Sequence, residues 1–78
     1  MNKNTIEQQF GYRIKELRGI LNISQEELAF RCYLSKNYVS DVERGTRNIS
    51  LKSIEKFAIG FNISIDELFK FKLNEKKD

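Results

Sequence analysis

The sequence predicts an all-α fold, a compact domain of five helices, and three observations lead to this prediction. Four times, a serine stands between two apolar residues that have the spacing of a hydrophobic staple, which is typical of a helix start. Between these starts, apolar residues recur every three or four positions, as they do on one face of a helix. The chain of 78 residues contains no proline that would interrupt a helix, and no segment alternates as a strand does.

Length and composition narrow the classes of protein to which the chain can belong. Its 78 residues suffice for one small domain, and no run approaches the roughly 20 apolar residues that span a bilayer. Cys32 is the single cysteine and histidine is absent, so a zinc site or a histidine relay has almost no ligands to use. The net charge of +3 is mild and is weak evidence for nucleic acid by itself. We therefore expect no cofactor, no metal, no membrane association and a reducing, cytoplasmic setting.

Helix 1 is predicted from about Ile6 to Leu21. Its apolar positions repeat at steps of three and four, and Asn22 then supplies the residue best suited, after glycine, to a left-handed helix end. Residues 1–5 are polar and are expected to form a flexible N-terminus. The helical domain is expected to cover residues 6–73, followed by a polar C-terminal tail over residues 74–78.

Helices 2 and 3 are predicted over about Gln25–Cys32 and Lys36–Arg44. Ser24 and Glu27 have the spacing of a capping box at the first start, and Gly45 permits a left-handed stop after the second helix. The connection between the two helices is so short that they must cross sharply, which describes a helix-turn-helix. We place the function on this pair of helices.

Helix 4 is predicted to begin after Ser50 and to end before Asn62. Helix 5 is predicted from about Ile65 to Phe71, because Ser64 and Glu67 again have the spacing of a capping box. Together these five elements leave only short connections, as expected for a compact helical domain.

The residues of the motif resemble those of a known family. The runs Gln25-Glu-Glu-Leu-Ala29 and Glu43-Arg44-Gly45 match the lambda-repressor-like (Xre-type) helix-turn-helix domain, and the match extends from about Phe10 to Phe69. Within that family, the short chain and the segment Glu43–Asn48 look most similar to the controller proteins of restriction-modification systems. Phage repressors, antitoxins and sporulation regulators share most of the pattern.

The resemblance assigns a structural role to two residues and marks one departure. Arg18 of helix 1 and Glu43 of helix 3 match a buried ion pair that fixes the recognition helix in the family. The family usually has glycine in the turn between helices 2 and 3, where this chain has Tyr33. Because a left-handed backbone costs a non-glycine residue on the order of 1 kcal/mol, the turn either has another conformation or tolerates the strain.

The motif places the recognition of DNA on the outward face of helix 3. Such a helix enters the major groove with its N-terminal end and reads the edges of bases. Lys36 can donate to guanine, and Asn37 can bracket adenine. Asp41 can accept from a cytosine amino group, or it can pair with Arg31 or Arg44. The base-reading residues are predicted to be Lys36, Asn37, Ser40, Asp41 and Arg47.

Contacts to the DNA backbone are expected to flank the reading residues. The amide of Gln25 and the N–H groups at the start of helix 2 can reach a phosphate, and hydroxyls lie close by. The alternative for Gln25 and Ser35 is that they only cap helices. The predicted backbone-contacting residues are Gln25, Ser35, Tyr38, Arg44, Asn48 and Lys52.

Surplus apolar residues towards the C-terminal end predict a symmetric homodimer. Helix 5 and the end of helix 4 carry more apolar surface than one small core can use, and clustered aromatic residues near a chain end favour an interface. The predicted interface residues are Ile59, Ile65, Phe69 and Phe71.

These expectations combine into one function and one alternative. The resemblance implies a transcription regulator that binds an inverted-repeat operator in double-stranded DNA as a homodimer, as a restriction-modification controller acting on its own promoter. It would be cytoplasmic, bacterial or phage-derived, and associated with the nucleoid. An enzyme and a small-molecule effector are not expected. The alternative is an antitoxin-like or other protein-interaction module that uses the same fold.

Overall fold

The computed structural model describes residues 5–72 and confirms the all-α prediction, since these residues form five helices and no strand. Within them, no helix combines the length and the apolar content needed to cross a membrane. The predicted C-terminal tail and most of the predicted flexible N-terminus lie outside the described residues. The helices are α1 (Ile6–Leu21), α2 (Gln25–Cys32), α3 (Lys36–Arg44), α4 (Leu51–Phe61) and α5 (Ile65–Leu68).

Each helix begins at a hydroxyl residue that caps it, as the sequence indicated for the last four. The side chain of each cap accepts a hydrogen bond from the backbone N–H three residues later. The reciprocal capping box forms at α1, where Thr5 and Gln8 bond to each other. The capping boxes predicted at Ser24–Glu27 and Ser64–Glu67 are wrong, because each serine caps its helix but neither glutamate side chain bonds back to the serine backbone. The carboxylate of Glu27 instead pairs with Arg31, one turn along α2.

The turn between α2 and α3 has the left-handed conformation that glycine would adopt, although Tyr33 occupies it. Its φ of 57° and ψ of 43° match those of Asn22 and Asn62, the residues that end α1 and α4. The Tyr33 side chain is 81% exposed, so its packing does little to offset the backbone strain. Of the two possibilities that the sequence left open for this turn, the structure has the second, in which the usual left-handed geometry is kept and its strain is tolerated.

The core lies between α1 and the four shorter helices, and α3 packs closely against it. Ile14, Leu28 and Phe57 are fully buried at its centre. Gly11 brings the backbone of α1 against α3, because a Cβ at this position would collide with the carbonyl oxygen of Val42. Cys32 is also fully buried, and burial raises the pKa of its thiol to about 11, as expected of a core residue.

The prediction for the end of α5 was wrong, because the helix stops at Leu68 and does not reach Phe71. The side chain of Arg13, which projects from α1, donates to the carbonyl oxygens of Glu67 (2.7 Å) and Leu68 (3.3 Å). The Glu67 oxygen also accepts from the backbone N–H of Lys70 at 3.2 Å, so the chain after Leu68 follows a tight turn in place of a further α-helical turn. The chain then turns so that Phe69 packs on Phe10, with 5.2 Å between the ring centroids.

Candidate nucleic-acid interface

The outward face of α3 begins with two exposed side chains that have no partner among the described residues. Lys36 and Asn37 stand in the first turn, directly after the cap Ser35. On the opposite face, Val39 and Val42 are buried in the core, so the orientation of the helix about its own axis is fixed. A lysine and an asparagine therefore project together into solvent from the N-terminal end of a well-anchored helix.

An ion pair with α1 and a hydrogen bond from α2 fix the C-terminal end of α3. Nε and Nη2 of Arg18 lie 2.7 Å and 3.1 Å from the two carboxylate oxygens of Glu43, whose side chain is only 4% exposed. The hydrogen bond to Glu43 raises the pKa of the Arg18 guanidinium. The amide of Gln25 donates to the same carboxylate at 2.9 Å. Gln25, predicted to contact a phosphate, thus bonds within the protein and links the start of α2 to the end of α3.

The connector after α3 is fixed by a chain of contacts that the sequence did not reveal. The guanidinium of Arg47 lies 4.6 Å from the centre of the Tyr38 ring, a cation–π contact. The hydroxyl of Tyr38 donates to Ser53 at 2.9 Å, and Ser53 is buried on the inner face of α4. The sequence signal for these contacts was Ser53 itself, because it stands at a position where the apolar pattern of α4 faces the core, and a buried polar group needs a hydrogen-bond partner.

Asp41 stands between two arginines on the outward face. One carboxylate oxygen lies 2.6 Å from Nη2 of Arg44, and the other lies 3.5 Å from Nε of Arg47. Arg44 also donates to the hydroxyl of Ser40 at 3.0 Å. Of the partners proposed from the sequence, the structure selects Arg44 and not Arg31, and it adds Arg47.

The remaining predicted contacts lie at the edges of this surface. Ser35 accepts from the backbone of Tyr38 as a cap, and Lys52 pairs with Glu55 on α4 at 3.3 Å. Asn48 lines an apolar cavity of about 150 Å³ between the connector and the start of α1. The structure therefore brings together the residues of α3 and Arg47, and it places these others around them.

The predicted dimer residues divide into two groups. Ile59 and Ile65 are 62% and 47% exposed. Phe69 and Phe71 are half-buried, and their ring centroids lie 5.9 Å apart beside the core. The first pair is thus free to form a contact between chains, while the aromatic pair also stabilises the fold.

Comparison with known proteins places this arrangement among DNA-binding regulators. A family model described as helix-turn-helix matches residues 14–68. The chain is 44% identical over 69 residues to the control protein C.BamHI of Bacillus amyloliquefaciens, and the match covers 87% of this chain and 85% of that protein.

Solved structures of controller proteins share the fold. The restriction-modification controller protein C.AhdI from Aeromonas hydrophila is 48% identical with a TM-score of 0.78, over 81% of this chain and 91% of that chain. The controller protein C.Esp1396I, solved as a tetramer in complex with its natural 35 base-pair operator, is 29% identical with a TM-score of 0.80. That match covers 87% of this chain and 90% of the other.

Proposed function

The chain belongs to the helix-turn-helix family, and we propose that it is a sequence-specific transcription regulator that controls a restriction-modification system. It binds an inverted-repeat operator in double-stranded DNA as a homodimer and acts on its own promoter. In this function it needs no cofactor and no small-molecule effector, it performs no catalysis, and it works in the bacterial cytoplasm on DNA of the nucleoid.

The observation that carries the proposal is the pair Lys36 and Asn37 at the start of α3. Their side chains are exposed and unpaired among the described residues, and the helix that presents them is anchored by the core and by Glu43. A lysine suits the acceptors of guanine, and an asparagine suits the donor and acceptor of adenine. An anchored helix that offers both at its N-terminal end has the geometry of a major-groove reader.

Contacts to phosphates supply the affinity on either side of this helix. Arg44 is exposed next to the reading residues, and a cation at this position can neutralise the DNA backbone, whereas Arg47, which is also exposed, can reach a base edge. Ser40 lies beside them and donates or accepts with either kind of partner. The bases are therefore read in the middle of a surface whose edges hold the backbone.

A homodimer is needed because a single small domain contacts too few base pairs to select a site. The exposed Ile59 and Ile65 offer apolar surface for the contact between chains. Two subunits related by two-fold symmetry read half-sites about one helical turn apart, roughly 34 Å. Since the related C.Esp1396I occupies its operator as a tetramer, we expect two dimers to fill a complete operator here, in steps set by protein concentration.

The proposal is tested with the double variant Lys36→Ala plus Asn37→Ala. We expect specific binding to a selected duplex to weaken at least 100-fold, because each lost base contact contributes about 1–3 kcal/mol of discrimination. The measurement is fluorescence anisotropy, with circular dichroism to verify that the fold is intact. Lys56→Ala, on α4, is the control for the loss of a positive charge and should bind nearly as the wild type does.

A protein-interaction module would give the opposite result. In that case the double variant retains every activity of the wild type, because the partner would bind the apolar end of the molecule. Unchanged DNA affinity in the double variant would thus contradict the proposed reading residues.

A further inference from the structure

We propose that Lys15 of α1 is a further DNA-binding residue, which holds a phosphate of the operator beside the C-terminal end of α3. The inference rests on the proposed function and extends the interface with DNA from α3 and its connector to α1. Because the contact is to the DNA backbone, Lys15 contributes affinity and not the choice of base sequence.

The site is a cleft between α1 and the end of α3, called here the α1–α3 cleft. Tyr12 and Lys15 line one side of it, Arg44 and Thr46 line the other, and its volume is about 390 Å³. Gly11 lets the two helices touch, because a Cβ at this position would collide with the backbone of α3. Both walls are therefore held in place, and the shape of the cleft exists before DNA binds.

The charge of the α1–α3 cleft favours an anion. Lys15 is exposed and has no partner among the described residues. Glu43 also lines the cleft, but its carboxylate is only 4% exposed and is paired with Arg18 at 2.7 Å. Glu16, the neighbour of Lys15 in the chain, pairs with Arg13 and not with the lysine. An ammonium group without a carboxylate partner thus remains to attract a phosphate.

Arg44 can bind the same phosphate without releasing its partners inside the protein. Its Nη1 donates to Ser40 and its Nη2 to Asp41, and a guanidinium has more N–H groups than these two contacts use. The remaining donors, Nε among them, are available to an oxygen of the phosphate. The ion pair with Asp41 therefore persists when DNA binds.

The length of α3 brings the α1–α3 cleft to the edge of the major groove. Lys36 is the first residue of this nine-residue helix and Arg44 is the last, so at a rise of about 1.5 Å per residue they lie about 12 Å apart. The major groove of B-DNA is also about 12 Å wide. When Lys36 reads a base edge, Arg44 and Lys15 therefore lie at the phosphates that border the groove.

The test compares Lys15→Gln with the wild type on two duplexes, the one recovered by selection and a scrambled duplex of equal length and composition. We expect affinity for both to fall about fivefold at physiological salt for each bound subunit, because a phosphate contact is made with any sequence. The slope of log affinity against log salt should become shallower by about one for each bound subunit. The preference between the two duplexes should stay within about twofold of the wild type.

Two variants control for the charge and for its position. Lys15→Arg keeps a positive charge in the α1–α3 cleft and should bind within about twofold of the wild type. Lys56→Gln removes a positive charge from α4 and should leave the salt slope nearly as in the wild type. Circular dichroism and sedimentation verify that each variant keeps its fold and its oligomeric state.

A neutral methylphosphonate in place of single phosphates of the selected duplex locates the contact. At one position bordering each half-site, the wild type should lose affinity. Lys15→Gln should lose less there, because that phosphate no longer has its lysine partner.

Three results would overturn the inference. Lys15→Gln that binds both duplexes as the wild type does would show that the lysine contacts no phosphate, while the proposed function stands. A change in preference at one base pair would show that Lys15 reads a base. Equal binding of both duplexes by the wild type would overturn the proposed function together with the inference, which separates the two failures.

Discussion

Tyr33 is the residue at which local strain is most evident. The other left-handed positions that end helices are occupied by asparagine or glycine, which adopt this conformation at lower cost. The exposed tyrosine side chain gains little from the fold in return. The strain therefore lowers the stability of the free protein.

Tyr33→Asn is expected to raise the free energy of unfolding by about 0.5–1 kcal/mol, because asparagine tolerates the left-handed backbone better. Urea denaturation followed by circular dichroism measures the change. Phe30→Asn, at an equally exposed position inside α2, is the control and should lower stability by a few tenths of a kcal/mol. A less stable Tyr33→Asn would show that the tyrosine side chain contributes packing beyond its buried area.

At the scale of elements, local signals explain why all five helices could be predicted, whereas the end of α5 could not. The bounds of α1, α2 and α3 agree with the predictions, because each start and stop depends on residues within one turn of it. The end of α5 is contacted by Arg13, which lies 54 residues before Glu67 in the chain. No pattern near Leu68 could reveal a contact with so distant a side chain.

Arg13→Gln is expected to lower the free energy of unfolding by about 2 kcal/mol, because the buried Leu68 carbonyl oxygen loses its donor and the Glu67 carboxylate loses its ion pair. Urea denaturation is again the measurement. Arg31→Gln removes an exposed pair on α2 and should cost less than about 0.5 kcal/mol. Equal effects of the two substitutions would contradict the account of the Arg13 contacts at the end of α5.

At the scale of the whole molecule, the sequence indicated which surface carries the function but not how its residues interact. The sequence identified Lys36 and Asn37 because the spacing of the motif places them at the N-terminal end of helix 3. The contacts of Asp41 with Arg47 and of Tyr38 with Ser53 join separate elements. Such contacts depend on the packing of α3, the connector and α4, so periodicity alone does not predict them.

The molecule as a whole is only mildly basic, with a net charge of +3. Non-specific electrostatic attraction to DNA therefore does not explain how the protein selects an operator. Selectivity must come from the reading helix and from the pairing of two subunits. The central claim is therefore that two copies of α3 read an inverted repeat.

Selection from random duplex DNA at physiological salt, followed by sequencing, tests this claim most directly. The account predicts an inverted repeat whose half-sites lie about 10 base pairs apart from centre to centre, one helical turn of DNA. Its presence upstream of the protein's own gene would identify the operator. Folded protein that enriches no sequence, or enriches a single site without two-fold symmetry, would contradict the account.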